Sequence, residues 1–207
     1  MGDERRGVFI VLEGVDGCGK STQAERLVER MRALGRDVLA VREPGTTKAG
    51  ERIRALLLDP ALGDISPVSE VFLYQAARAQ LVAEILEPAL AAGRDVLCER
   101  WHYATSAYQG VAGGAGLETV RLTSRLATGG LEPDRAVLLD LPSEQAGARL
   151  GDDHDRIEQR GDAYRGVVAQ ALREVFHAED DALRTVRADL PPDEVEQEVW
   201  EAVRDLF

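Results

Sequence analysis

Cysteine is nearly missing from this chain of 207 residues, which carries only Cys18 and Cys98. Two thiols cannot make a disulfide framework, and neither has a cysteine or histidine nearby at metal-ligand spacing, which argues against a zinc site. No apolar run approaches the roughly 18 residues of a membrane helix. No signal peptide is recognisable either, so the expected compartment is the cytoplasm, with no membrane partner. Positive charge is also short: 25 Lys and Arg stand against 37 Asp and Glu, a formal net charge of −12. That balance argues against nucleic acid as a partner, because phosphate-backbone binding needs a basic surface. A small anionic ligand is still compatible, since local arginines and lysines can hold one inside an acidic protein. Internal repeats, low-complexity segments and linkers are absent as well.

What is present is ordinary in amount, with 44% hydrophobic and 30% charged residues, and the length suits one domain over 1–207. Residues 7–13, GVFIVLE, form a continuous apolar run, as expected of a strand buried on both faces. Ala24, Leu27, Val28, Met31 and Leu34 follow at helical spacing, and Gly35 closes that helix. Further strands are expected at 37–41, 95–99, 135–141 and, more weakly, 183–188. Helical patterns lie at 48–58, 67–91, 116–128, 143–150, 162–179 and 192–206. Strands alternating with helices indicate an α/β fold: a five-stranded parallel sheet flanked by helices in three layers. Ligands of such sheets bind beyond the carboxyl ends of the strands. Residues 151–162, GDDHDRIEQRGD, are charged and aperiodic and read as a mobile segment.

Residues 14–21, GVDGCGKS, fit the phosphate-loop pattern G-x-x-x-x-G-K-[ST], with an apolar strand before and an amphipathic helix after. The glycines let the backbone curl so that several N–H groups converge on phosphate oxygens. The helix N-terminus beyond adds a favourable dipole. Gly14, Val15, Asp16, Gly17, Cys18, Gly19, Lys20, Ser21 and Thr22 are therefore expected to hold a nucleoside triphosphate. Lys20 would meet its β- and γ-phosphates and the Ser21 hydroxyl would ligate Mg²⁺. If 95–99 lies beside 7–13, Glu99 and Arg100 face this loop, the carboxylate toward the metal and the guanidinium toward a second phosphate. Asp140 is a rival for the metal-side carboxylate. On the helix 67–91, Tyr74 and Arg78 stand four residues apart on one face. An aromatic plane beside a guanidinium suits a flat base bearing carbonyl oxygens.

Several segments together resemble the thymidylate kinase family: FIVLEGVDGCGKSTQ (9–23), VREPGTT (41–47), LYQAARAQ (73–80), ERWHYATSAYQG (99–110), PDRAVLLDLP (133–142) and DRIE (155–158). They run in order over about three-quarters of the chain. The resemblance implies a P-loop kinase fold with a short lid at 149–161, ATP and Mg²⁺ as cofactors, dTMP as acceptor, and commonly a homodimer. It implies that Asp16 faces the acceptor and the Mg²⁺ shell, and that Glu43 and Pro44 border the acceptor ribose. Tyr74 would stack on thymine, Arg78 would donate to its O4, and Arg100 would grip the monophosphate. Thr105, Tyr108 and Gln109 would line base and deoxyribose, Tyr108 disfavouring a 2′-hydroxyl. Arg156, with Arg149 or Arg160, would close over the phosphates. The family's alternative position for that arginine, inside the P-loop, is Gly17 here, which leaves the charge to the lid.

Three departures stand out. Glu99 replaces the family's Asp, Ala77 replaces an Asp on the acceptor helix, and 149–160 carries fewer arginines than many bacterial lids. A shifted acceptor, such as another pyrimidine or a modified nucleoside monophosphate, is the nearest rival reading. An acceptor-independent nucleotide switch is the rival from another class.

Overall fold

The computed structural model describes residues 6–151, 154–177 and 180–207. Residues 152 and 153 of the expected lid, and 178 and 179 of the helix expected to reach 179, lie outside the described residues. Five strands are present: β1 (Phe9–Glu13), β2 (Val38–Arg42), β3 (Asp95–Glu99), β4 (Arg135–Asp140) and β5 (Leu183–Arg187). They form one parallel sheet in the order β2-β3-β1-β4-β5. Every residue of β1 is buried, as its position at the centre of the sheet requires. The edge strands β2 and β5 mix buried with partly and fully exposed positions instead.

Between and after the strands lie α1 (Lys20–Ala33), α2 (Lys48–Leu58), α3 (Pro67–Leu81), α4 (Glu87–Ala91), α5 (His102–Thr105), α6 (Leu117–Thr128), α7 (Ser143–Gly147), α8 (Gly161–Phe176) and α9 (Pro192–Val203). Local chemistry explains their starts. Thr47 accepts a hydrogen bond from Gly50 N at the head of α2, and Ser66 does the same from Ser69 N before Pro67 at the head of α3, two helix caps of ordinary kind. The head of α1 is different: Gly19 sits there at φ 94° and makes no side-chain cap. Its N–H groups are thereby left for an anion. The helix expected over 67–91 is interrupted by a widened π turn at Val82–Leu86. Pro88, in the first turn of α4, cannot donate to the carbonyl one turn back, and widening that turn accommodates the mismatch.

The register aligns the carboxyl ends of the strands. Leu12 pairs with Glu99, Arg42 with Glu99, and Glu13 with Leu138. The phosphate-loop pattern, Glu43, Glu99-Arg100 and Asp140 therefore emerge along one edge of the sheet. A buried carboxylate shapes that edge. Glu13, fully buried, accepts hydrogen bonds from Trp101 N at 2.7 Å and Ala104 N at 3.1 Å. These bonds tie the start of α5 to the end of β1. Burial raises the Glu13 pKa, opposed by the nearby Arg100 charge and the two backbone N–H groups. The segment after β3 is thus helical, His102–Thr105 continuing into a π-helical stretch Ser106–Ala112. Sequence periodicity gave no sign of it.

Glu13→Ala strands two buried N–H groups, so urea unfolding is expected to register a loss of about 3 kcal/mol. Glu13→Gln keeps an acceptor oxygen and should lose less than half as much; equal losses would show that the acceptor is not what matters.

Candidate active site

The phosphate loop closes on itself. Lys20, the first residue of α1, is buried, and its Nζ donates to Gly14 O at 3.0 Å and Val15 O at 2.9 Å. Gly17 has φ 81°, and a Cβ there would lie 2.4 Å from the carbonyl oxygen of Ala146 on α7. Both the left-handed backbone and the lack of space demand glycine. That close approach sets α7 against the loop. Arg149 follows α7 directly, its N–H bonded to Ala146 O, and it lines the same cavity as Lys20 and Ser21.

Glu99 reaches the loop as expected from the strand order. Its Oε2 accepts a hydrogen bond from Ser21 Oγ at 2.7 Å, so hydroxyl and carboxylate stand side by side. Asp16 lines the same cavity. Three hard oxygen donors at a phosphate loop fit Mg²⁺, which takes one or two protein oxygens and fills its octahedron with phosphate and water. Among the described residues no group of three or more Asp, Glu, His or Cys could hold a metal alone, so the phosphates themselves would have to complete the shell. Asp140, the rival carboxylate, pairs with Arg173 of α8 at 2.8 Å instead.

Two cavities adjoin at the strand ends. One, of about 900 Å³, holds the phosphate loop with Lys20, Ser21, Thr22, Glu99 and Arg149. The other, of about 530 Å³, is walled by Tyr74, Trp101, Thr105, Tyr108 and Gln109, with Pro44 at its rim. Its aromatic walls with a few convergent polar groups suit a nucleotide. Asp16, Glu43, Arg54 and Arg100 line both.

At the junction Arg100 adopts φ 72°, a left-handed backbone that is rare outside glycine and tends to mark functional positions. It donates to Asp16 Oδ1 and, at 3.4 Å, to Tyr108 OH, which in turn donates to Asp16 Oδ2 at 3.0 Å. Burial opposes ionisation of Asp16, yet the Arg100 and Lys20 charges and the Tyr108 and Arg100 hydrogen bonds outweigh it and hold the carboxyl well below its usual range. Arg54 of α2 was not singled out from the sequence, where it reads as one more helix-surface arginine. It donates to Pro44 O, and burial, then the Arg42 and Arg100 charges, lower its pKa. Convergence of Arg42, Arg54 and Arg100 is a signature only the fold could reveal.

Deeper in, Arg78 is 1% exposed. Its guanidinium donates to Glu43 Oε2, Gln75 Oε1 and Thr105 Oγ1 at 2.7–2.9 Å and lies 5.4 Å from the Trp101 ring. Glu43 and Thr105 thus act on the cavity through Arg78 as much as directly. Buried Ala77 leaves no acid there, and Arg78 is neutralised by Glu43 instead. Gln109, also buried, donates to Glu70.

Arg156 and Arg160 do not reach the phosphate loop. Arg156 is buried and donates to Leu57 O at 2.8 Å and Glu70 Oε1 at 2.7 Å. Arg160 donates to Glu70 and to Tyr164 OH. Arg156 is expected to close over the phosphates, but in this placement its guanidinium points at Glu70 and Leu57 O instead. Of the three lid arginines, Arg149 alone lines the cavity of the loop.

Comparison with known proteins finds relatives over nearly the whole chain. The family model described as thymidylate kinase matches residues 12–199. A thymidylate kinase of Deinococcus radiodurans is 44% identical over 203 residues, covering 97% of this chain and 98% of the relative. Thymidylate kinases of Rhizorhabdus wittichii (41% over 205 residues, 97% and 99% covered) and Exiguobacterium sibiricum (40% over 199 residues, 95% and 94%) are similar.

Burial pushes the Glu43 carboxyl up from 4.5 to about 7, against the pull of Arg78 and with Glu13 adding to the rise. A carboxyl raised on folding favours the folded state below its unfolded pKa and loses that contribution as pH climbs through the folded value. The stability difference between wild type and Glu43→Gln is therefore expected to fall by up to about 3 kcal/mol between about pH 4.5 and 7. Denaturant titrations across that window check it; a flat difference would refute the burial argument.

Proposed function

The chain belongs to the thymidylate kinase family, and on that premise we propose how its residues transfer the γ-phosphoryl group of ATP to dTMP, giving dTDP and ADP. The observation that carries the assignment is the shared wall: Asp16, Glu43, Arg54 and Arg100 line both cavities. A monophosphate held at that wall lies next to a triphosphate on the loop, which in-line transfer requires. The functional unit is one domain, with the phosphate loop at 14–22 and the lid at 149–161.

In this reading the N–H groups of 14–22 and Lys20 hold the β- and γ-phosphates, and Ser21, Glu99 and Asp16 supply oxygens for Mg²⁺. Bound there, the ion would neutralise charge on the transferring group. Arg100 and Arg54 grip the acceptor phosphate. Asp16 fixes the Arg100 guanidinium and Tyr108, so that Tyr108 stands against the deoxyribose. Tyr74 stacks on the base, and Arg78, held by Glu43, Gln75 and Thr105, presents its remaining N–H groups to a base carbonyl. Glu70 lies behind that wall and holds Gln109, which is part of it. Charge developing on the moving phosphoryl falls to Arg149, since Gly17 leaves no room for an arginine in the loop. The reaction belongs to the cytoplasm, where ATP and deoxynucleotides are found; among the described residues no helix is long and apolar enough to cross a membrane.

ADP formation is expected to respond to dTMP and weakly or not at all to dUMP, dCMP, UMP and AMP. Indifference to every acceptor would favour the switch. Lys20→Ala should abolish turnover, and Arg149→Ala should lower kcat by about 10²–10³-fold with KM for dTMP little changed. A normal kcat in the Arg149 variant would return the role to another residue.

Val68 and Phe72 of α3 and Leu122 and Leu126 of α6 are exposed, Leu126 to 76%. In each pair the residues stand one helical turn apart, and apolar groups clustered this way support a homodimer through α3 and α6. Light scattering should give twice the chain mass for the wild type, and Phe72→Glu should shift it toward the monomer; a monomeric wild type would end this reading.

A further inference from the structure

Among the pieces of chain that wall the acceptor cavity are α3 with Tyr74, the π-helical stretch with Tyr108 and Gln109, and the lid root with Asp155 and Ile157. One buried carboxylate joins all three. Glu70 sits one turn before Tyr74 on α3, is 1% exposed, and does not itself line the cavity. Its Oε1 accepts from Arg156 Nη1 at 2.7 Å and from Arg160. Its Oε2 accepts from Gln109 Nε2 at 3.2 Å. Arg156 lies between Asp155 and Ile157, which line the cavity while the Arg156 guanidinium lies against Glu70. It is bolted further by its Nε to Leu57 O and its N–H to Leu58 O at the end of α2. Arg160 extends the link through Tyr164, whose hydroxyl donates to Tyr108 O at 2.5 Å.

We propose that Glu70 is a positioning residue for the acceptor. By pairing with Arg156 and Arg160 and holding Gln109, it sets the distance between the base-side wall on α3 and the lid-side wall at 155–157. Glu70 and Arg156 then act as one unit, and their loss widens the acceptor cavity without touching the phosphate loop. Glu70→Gln leaves the Arg156 and Arg160 charges uncompensated, and Arg156→Met cuts the Glu70 and Leu57 links of the lid root, so each single variant loosens the same wall. The inference rests on the reading of this cavity as the acceptor site.

The test uses the full chain with Glu70→Gln, Arg156→Met and the double variant. Each single variant is expected to raise KM for dTMP about tenfold, the factor of one lost charge-assisted hydrogen bond, with KM for ATP changed less than about twofold. The double variant should be no worse than the poorer single, as coupled residues require. Amide hydrogen exchange without nucleotide should quicken over 155–160 in all three, a readout independent of the reaction. Additive effects, or equal rises in both KM values, would overturn the proposal and leave Glu70 a purely structural anchor. Faster exchange with unchanged KM for dTMP would overturn it too. Failure of the acceptor reading would look different, because the wild type itself would then show no acceptor-stimulated ADP formation.

Discussion

The hydrogen bonds from Trp101 N and Ala104 N to the buried Glu13 carboxylate hold the rest of the site in place. They turn the chain sharply after β3 instead of letting it run on, and the residue at the bend, Arg100, takes up its left-handed backbone there. A non-glycine residue in that region costs roughly 1–2 kcal/mol, a cost the two buried hydrogen bonds offset. The outcome is a guanidinium delivered from below to the junction of two cavities. Asp16, reaching the same point from the central strand, meets it. The strand order makes this meeting possible, because β1 and β3 are neighbours.

The two cavities differ in how their charge is managed. Around the phosphate loop, arginines and Lys20 outnumber acids, and burial together with mutual repulsion lowers the pKa of Arg54. That is a local field made for anions inside a chain of net charge −12, and it shows why bulk acidity says little about small-ligand chemistry. In and behind the neighbouring cavity the cations are instead tied to buried carboxylates: Arg78 to Glu43, and Arg156 and Arg160 together to Glu70. Paired guanidinium groups serve there as rigid hydrogen-bonding struts behind the base-side wall.

Much of the fold was legible because its signals are local. Unbroken apolar runs marked the buried strands, and the five strands lie within a residue or two of their expected positions. The phosphate loop was legible because glycine and lysine at fixed spacing have few other uses. The helical character of 102–112 was not, since its residues face a cavity on one side and a core on the other and leave no apolar period. Arg54 and Glu70 escaped for another reason. Each lies on an amphipathic helix where a charged residue reads as solvent-facing, and only packing of distant segments turns those positions inward. Arg156 follows the same logic: its place in a lid sequence suggests phosphates, while packing sets it against the buried carboxylate of Glu70.

The contact between Gly17 and the Ala146 carbonyl has a consequence for the evolution and engineering of such sites. A side chain in the loop and a helix resting on the loop compete for one volume, so the two sources of an arginine are alternatives by exclusion. A lineage could not pass from one to the other by a single substitution. Grafting an arginine into position 17 would first have to evict α7, and with it the segment that carries Arg149. Loop and lid base would therefore have to change hands together, as an exchangeable pair.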